Sequence, residues 1–244
     1  MQFGIFPIGG QGRRFTSIEF VEPKPFIEIF GKTQLEWSVL SCRKNFPEAQ
    51  IVIAYRSGLE THTLNFVKKF SKQSGVSIQA IDIGECTLGA AHTTALALGE
   101  IGALNQDFEF LVLDSDVAIE LTNTSNLLNC AAGLVTSKST NPGHSFVIID
   151  ERNRVKAIEE KIVISENGVA GNYFFKSASK YLDHYASLPW QSDEKYISGV
   201  IKSYLRDNLL VSAEPALTVC SFGTPSELAC ITLESLKFLR ADFD

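Results

Sequence analysis

A short apolar run, Phe3 to Ile8, breaks directly into Gly9-Gly10-Gln11-Gly12, and two arginines and then Pro23-Lys24-Pro25 follow it. Glycines straight after a buried strand let the backbone turn tightly and bring its N–H groups close to a ligand. N–H groups arranged that way hold anions, phosphate above all. Arg13, Arg14 and Lys24 set cations around the same loop. Arginine offers a planar donor fork and lysine a compact charge, and phosphate uses both. Taken singly, a glycine turn is most often only a turn, and Pro-Lys-Pro only a stiff surface loop. Together, in this order behind an N-terminal strand, they point to a phosphate-bearing ligand held at a strand end.

The stretch resembles the nucleotidyltransferase family that makes nucleotide sugars, whose signature runs roughly AGGxGTRL, then PKPL, then GKP. Ile8 to Phe15 falls on the first part, Pro23-Lys24-Pro25-Phe26 on the second and Gly31-Lys32 on the third. The resemblance implies a Rossmann-like fold and a nucleotide lying along Gly9, Gly10, Gln11, Gly12 and Arg13. Gly10 and Gly12 would cradle it, with Arg14 and Lys24 on its phosphates. Arg13 stands where the family usually has Thr.

Charge narrows the partner. The chain has 28 acidic and 22 basic residues in 244, a net charge of -6, so the basic loop is a local feature on an acidic body. That balance suits a small anionic ligand and argues against nucleic acid or an anionic membrane surface. A hydrophobic content of 45% is ordinary for a globular protein. The length fits a single α/β domain over residues 1–244. The resemblance divides it into a nucleotide-binding half to about residue 120 and an acceptor-binding half beyond. Five cysteines, an odd number without CxxC spacing, read as reduced thiols of a cytoplasmic protein. No stretch has the length of a membrane span or the form of a signal peptide.

Along the chain, β-branched apolar runs alternate with segments of helical period, which predicts βαβ units around an open, mostly parallel twisted sheet with helices on both faces. Thr33-Gln34-Leu35-Glu36 reads as a capping box opening a helix with Leu35, Val39, Cys42 and Phe46 on one face. Strands are expected at Gln50 to Tyr55 and Ser77 to Ile83, with a helix over Leu59 to Phe70 between them. Gly84 to Leu98 starts with small residues, which let a helix N-terminus approach a flat or anionic group, although tight helix packing is the reading these residues favour by themselves. The segment is similar to the family's base-reading loop and helix, which carries the nucleotide role to Gly89 and Ala90. Gly84 stands where Gln is common there, and Thr87 where Pro is common.

Phe108 to Ile119 reads as one strand, whose alternation places Asp114 and Asp116 on a single face at its end. Two such carboxylates suit a hard cation, and Mg²⁺ typically takes one or two carboxylates plus phosphate oxygens. The resemblance puts the metal-binding Asp at Asp116, with Asp114 as an assistant. The family's closing motif matches Gly223, Thr224 and Pro225, but its second metal Asp is Ser221 here. Phe146 to Ile149 and Arg154 to Glu160 read as paired strands. Ile158-Glu159-Glu160-Lys161 resembles the family's EKP motif, which carries sugar hydroxyl binding to Glu160 and a phosphate contact to Lys161. A solvated surface ion pair is the bland alternative. Val169 to Phe175 resembles the strand beneath the sugar, which assigns close approach to Gly171 and hydrogen bonding to Asn172. Glu194, in the segment opening a helix to about Arg206, matches an acidic residue near the acceptor.

The resulting expectation is nucleotidyl transfer in nucleotide-sugar and polysaccharide biosynthesis. An NTP and a phosphorylated acceptor, in the first place a sugar 1-phosphate, would give a nucleotide-sugar and pyrophosphate; a cytidylyltransferase acting on a non-sugar phosphate such as phosphocholine lies within the same reading. Arg14, Lys24 and Asp116 carry the chemistry in this reading and Mg²⁺ enters with the nucleotide. A homo-oligomer is compatible with the sequence. Asp114-Ser115-Asp116 also fits the DxD motif of metal-dependent glycosyltransferases, and Ser221 leaves room for a non-catalytic, regulatory member of the fold.

Overall fold

The computed structural model describes residues 2–10, 22–189 and 194–239. Strand β1 (Gln2–Ile8) is the centre of the molecule. Its side chains alternate between two hydrophobic clusters, Phe3 and Ile5 in one, Phe6 and Ile8 in the other, as a strand buried on both faces requires. A two-stranded hairpin follows, β2 (Glu28–Ile29) and β3 (Lys32–Thr33). It turns on Phe30 and Gly31, both at positive φ. Helix α1 (Gln34–Asn45) begins at Thr33, whose hydroxyl accepts from the Glu36 N–H at 3.1 Å, the capping box expected from sequence.

The strands β4 (Gln50–Tyr55) and β5 (Ile78–Asp82) come next, with helix α2 (Glu60–Ser74) between them. Helix α3 (Ala90–Ile101) leads to β6 (Glu109–Leu113) and β7 (Val117–Glu120). Helix α4 (Ser125–Leu128) and strands β8 (Ala132–Lys138), β9 (Ser145–Ile149), β10 (Val155–Glu160) and β11 (Asn167–Phe175) follow. The chain then runs through α5 (Ala178–Ser187), α6 (Ile197–Arg206), β12 (Val211–Pro215), β13 (Thr218–Ser221) and α7 (Pro225–Cys230).

The nine-stranded main sheet has the path β10-β9-β11-β6-β1-β4-β5, with β8 on β11 and β12 on β8. Strands β6, β1, β4 and β5 are parallel, and β12 is parallel to β8. β11 enters antiparallel to β6 and β8, and β9 and β10 form an antiparallel pair at the far edge. Helices α1 and α2 pack on one face through Leu35, Val39, Phe66 and Phe70. Helices α3, α5 and α6 cover the other through Leu98, Tyr181, Val200 and Tyr204. The architecture is the α/β sheet with helices on both faces that the alternation predicts.

One expected strand is two. The chain leaves β6 at Asp114, turns through Ser115 and Asp116, and resumes as β7 in a separate ribbon with β13. The Asp114 N–H donates to the Gly171 carbonyl at 2.9 Å and the Asp116 carbonyl accepts from Phe222 at 2.7 Å, so the turn is bound to different partners on its two sides. Strand alternation therefore does not place the two carboxylates.

β7 pairs with β13 along one edge only. Along the other, side chains of α1 take the place of a strand. The Ser38 hydroxyl accepts from the Val117 N–H at 3.2 Å, Ser41 accepts from Ile119 N–H at 2.7 Å, and Asn45 Oδ1 accepts from Leu121 N–H at 2.9 Å. Ser41 and Asn45 also donate to the Ile119 carbonyl, each at 2.8 Å. Buried backbone groups need partners, and here a helix supplies them.

Candidate active site

β1 and β6 are parallel neighbours with Ile5 opposite Val112, so Gly9-Gly10 and Asp114-Ser115-Asp116 leave the sheet side by side at its carboxyl edge. That edge is where open α/β sheets bind ligands. A Cβ on Gly9 would stand 2.7 Å from both Thr93 Oγ1 and Ile83 Cδ1, so only glycine fits beneath the loop that follows β5. The same loop is tied to Gly9 by the Thr87 N–H, which donates to its carbonyl at 3.2 Å. Gln11, Gly12, Arg13 and Arg14 lie outside the described residues.

Lys24 opens a short 3-10 turn, Lys24–Phe26, anchored by the buried Phe26 ring. Its ammonium forms an ion pair with the Asp116 carboxylate, 92 residues further along the chain. The two side chains are only 15% and 20% exposed, and partial burial strengthens such a pair over its value in water.

Around Asp116, Gly223 leaves open a space that three oxygens border. A Cβ there would lie 3.1 Å from Glu227 Oε2, 3.4 Å from Asp116 Oδ2 and 3.6 Å from Ser221 Oγ. Ser221 thus does face the Asp116 cleft. Glu227 belongs to the cap of α7, where its N–H donates to Thr224 Oγ1 at 3.2 Å and its carboxylate accepts from the same hydroxyl at 2.9 Å. His144 beside it, with help from the Thr224 and Ser221 hydroxyls, holds the Glu227 carboxyl down at about 2. Among the described residues no group of three or more His, Cys, Asp or Glu is placed to hold a metal. The all-oxygen donor set suits a hard cation whose remaining ligands come from a phosphate-bearing substrate.

Asp114 turns the other way. It packs on Gly171, whose φ of +81° and missing side chain both permit the contact. Behind it lies a polar cluster on the antiparallel side of the sheet. Glu160 accepts from the Ser145 hydroxyl and, at 2.7 Å, from the Ser198 hydroxyl. Asn172 is buried, and among the described residues its Oδ1 has no hydrogen-bond partner. Tyr173 is fully buried, and burial together with the nearby Asp114 and Glu160 charges pushes its phenol well above the ordinary range. Lys161 Nζ donates to the Tyr196 hydroxyl, which donates in turn to Glu194. The Tyr196 bond raises the Lys161 ammonium above its usual value. A cavity of about 700 Å³ opens beside Glu160 and is lined also by Glu194, Tyr196, Ser198 and Lys202.

Gly89 and Ala90 sit at the start of α3, against the 194–196 segment. A Cβ on Gly89 would stand 2.7 Å from the Lys195 carbonyl, and that carbonyl accepts from the Ala91 N–H at 3.0 Å. Gly89 therefore has a packing reason for being glycine, independent of any nucleobase.

The model of the family described as nucleotidyl transferase matches residues 4–216. The chain belongs to the nucleotidyl transferase family. A search of the curated proteins found no match. Among solved structures, this nucleotidyl transferase is similar to the nucleoside-diphosphate-sugar pyrophosphorylase from Vibrio cholerae RC9, at 22% identity and a TM-score of 0.83, over 96% of this chain and 100% of that one. It is also similar to the inositol-1-phosphate CTP transferase from T. maritima, at 17% identity and a TM-score of 0.74, over 98% of this chain and 94% of that one. At these identities the likeness establishes the shared fold.

Within that fold, the structure brings Lys24 to Asp116, and Gly171 to Asp114. It gathers Glu160, Lys161 and Glu194 around Tyr196 and Ser198. Sequence reasoning missed Ser145, Ser198 and His144, which carry no local signature. The capping-box pattern found Glu227 as a helix cap but not its approach to Asp116.

Proposed function

We propose that this nucleotidyl transferase moves a nucleoside monophosphate from an NTP to the phosphate of a small hydroxyl-rich acceptor, a sugar 1-phosphate or a related polyol phosphate, releasing pyrophosphate. The observation that carries this reading is the Lys24–Asp116 pair at the carboxyl edge of the parallel strands, beside the Gly9-Gly10 break. An acceptor phosphate oxygen attacks the α-phosphorus in line, and two anions must approach each other. Catalysis then consists of positioning and positive charge. Lys24 leaves Asp116 to place its ammonium on the α-phosphate and the acceptor phosphate. Asp116, with Ser221 and Glu227 beside it, would hold Mg²⁺ that arrives with the nucleotide. When bound, Mg²⁺ supplies charge neutralisation on the phosphates. Arg14, by its place in the motif, takes the outer phosphates. No general base is needed, because the acceptor phosphate is already ionised at neutral pH.

The acceptor preference rests on the polar cluster around β11. Glu160 and the unpartnered Oδ1 of Asn172 are acceptors of hydrogen bonds, which a ligand rich in O–H donors satisfies. Phosphocholine has no such donors. Residues up to about 120 serve the nucleotide in this scheme and those beyond serve the acceptor. A cytoplasmic setting fits five cysteines that form no disulfide.

The test is pyrophosphate release over four NTPs, each with sugar 1-phosphates, inositol 1-phosphate and phosphocholine. Release should need both substrates and Mg²⁺ and favour the polyol phosphates. Nucleotide binding with no turnover in any combination would point instead to a regulatory protein. Transfer from a finished nucleotide-sugar to an acceptor hydroxyl would point to a glycosyltransferase.

A further inference from the structure

Gln34 is the first residue of α1 and is fully buried, yet among the described residues neither its Nε2 nor its Oε1 has a hydrogen-bond partner. A buried amide with all its bonds unmade is expensive, and a leucine or methionine of similar size avoids the expense. Such a group in a native protein calls for an explanation.

Its position supplies one. Residues 34, 38, 41 and 45 fall on one stripe of the helix. Three of them, Ser38, Ser41 and Asn45, meet the N–H groups of Val117, Ile119 and Leu121 in turn. One turn back from Ser38, whose hydroxyl meets the Val117 N–H, Gln34 stands at the end of α1 next to the Asp114-Ser115-Asp116 turn that leads into β7. At its other side, the Gln34 N–H donates to the Ile27 carbonyl at 3.0 Å, three residues past Lys24. Gln34 therefore lies between the two chain segments that carry the Lys24–Asp116 pair.

We propose that Gln34 is a positioning residue for Asp116. As Lys24 moves onto the phosphates in the transition state, the Gln34 amide N–H takes up the Asp116 carboxylate and holds it in the orientation that state requires. The inference rests on the transfer reading above, in which Lys24 and Asp116 must part. In the free protein the Asp116 carboxylate is drawn to Lys24, and the amide has no partner among the described residues.

Gln34→Met tests it, since methionine fills nearly the same volume without polar atoms. Removing an unsatisfied amide should raise Tm by roughly 2–8 °C. The same variant should lose roughly 10-fold or more in kcat, with KM for NTP and acceptor within about 2-fold, because ground-state binding does not use the amide. A Gln34→Met protein that is less stable, or does not fold, overturns the proposal by showing the amide to be structurally engaged. Unchanged kcat overturns it as well. Wild-type protein without turnover sinks the transfer reading and this inference together, whereas an active wild type with an equally active variant sinks this inference alone.

Discussion

Gly171 and Asp114 claim the same space. The Asp114 N–H donates to the Gly171 carbonyl at 2.9 Å, and a Cβ on Gly171 would stand 2.8 Å from Asp114 Cγ. The contact fixes where the chain turns out of β6 and separates the two carboxylates of the Asp-Ser-Asp motif. Gly171→Ala must bear both a positive φ and a collision with Asp114. The expected loss is on the order of 2–4 kcal/mol of stability, with a raised KM for the acceptor. Urea midpoints and acceptor titrations measure the two effects, and a variant that matches wild type in both would remove Gly171 from the site.

Lys24→Ala removes charge placed where the transition state needs it. It should lower kcat by roughly 10²–10³-fold, about 3–4 kcal/mol, by analogy with deleting a preorganised oxyanion donor. Some stability should be lost as well, since the ammonium is only 15% exposed and its removal takes this partner from the Asp116 carboxylate. Asp116→Asn should abolish Mg²⁺-dependent turnover. Near-normal kcat in either variant would exclude the residue from the chemistry.

The thiols report on the nucleotide loop. Cys42, Cys130 and Cys220 are buried, and burial pushes the Cys42 thiol up to about 12, so these should resist a chromogenic disulfide reagent in the native protein. Cys86 and Cys230 are exposed and should react, giving two fast thiols natively and five in guanidinium. The Cys86 Sγ lies 3.4 Å from the Gly9 carbonyl. A bound NTP should therefore slow one of the two fast reactions; equal rates with and without nucleotide would place the nucleotide elsewhere.

Glu227 gives the protein an acid-sensitive element. Its folded value of about 2 lies below the ordinary 4.5, with the His144 contact as the largest cause. A depressed carboxylate stabilises the fold fully above 4.5 and loses that contribution as the pH falls toward 2. The contribution is on the order of 2 kcal/mol at neutral pH. Glu227→Gln should remove it, so the stability gap between wild type and variant should close as the pH is lowered through that window. A gap that stays constant in urea titrations across the window would contradict the assignment.

The fold was legible where periodicity and caps are local. Thr33 and Thr224 cap their helices as their neighbours indicate, and the alternating buried runs give the parallel strands. The break at Ser115 was not legible, because Phe108 to Ile119 is apolar and β-branched on both sides of it. The two sides of the break have different partners, Gly171 for Asp114 and Phe222 for Asp116, and both stand far along the chain. The site was legible in the same measure. Lys24 and Asp116 stand out by motif, and the structure joins them. Ser145 and Ser198 look like any other serines until β9, β10 and α6 bring them to Glu160. Gln34 reads as one letter of a capping box, and only its burial marks it as unusual.

The ladder from α1 to β7 also limits how this chain can vary in length. One residue inserted between Ser38 and Ser41 would rotate the rest of the helix by about 100°. Ser41 and Asn45 would swing away from the strand together, stripping Ile119 and Leu121 of their partners in one step. A strand paired to another strand can slip by two residues and recover its bonds, but side chains on a helix offer no second register. The stretch from Gln34 to Asn45 should therefore accept no change of length.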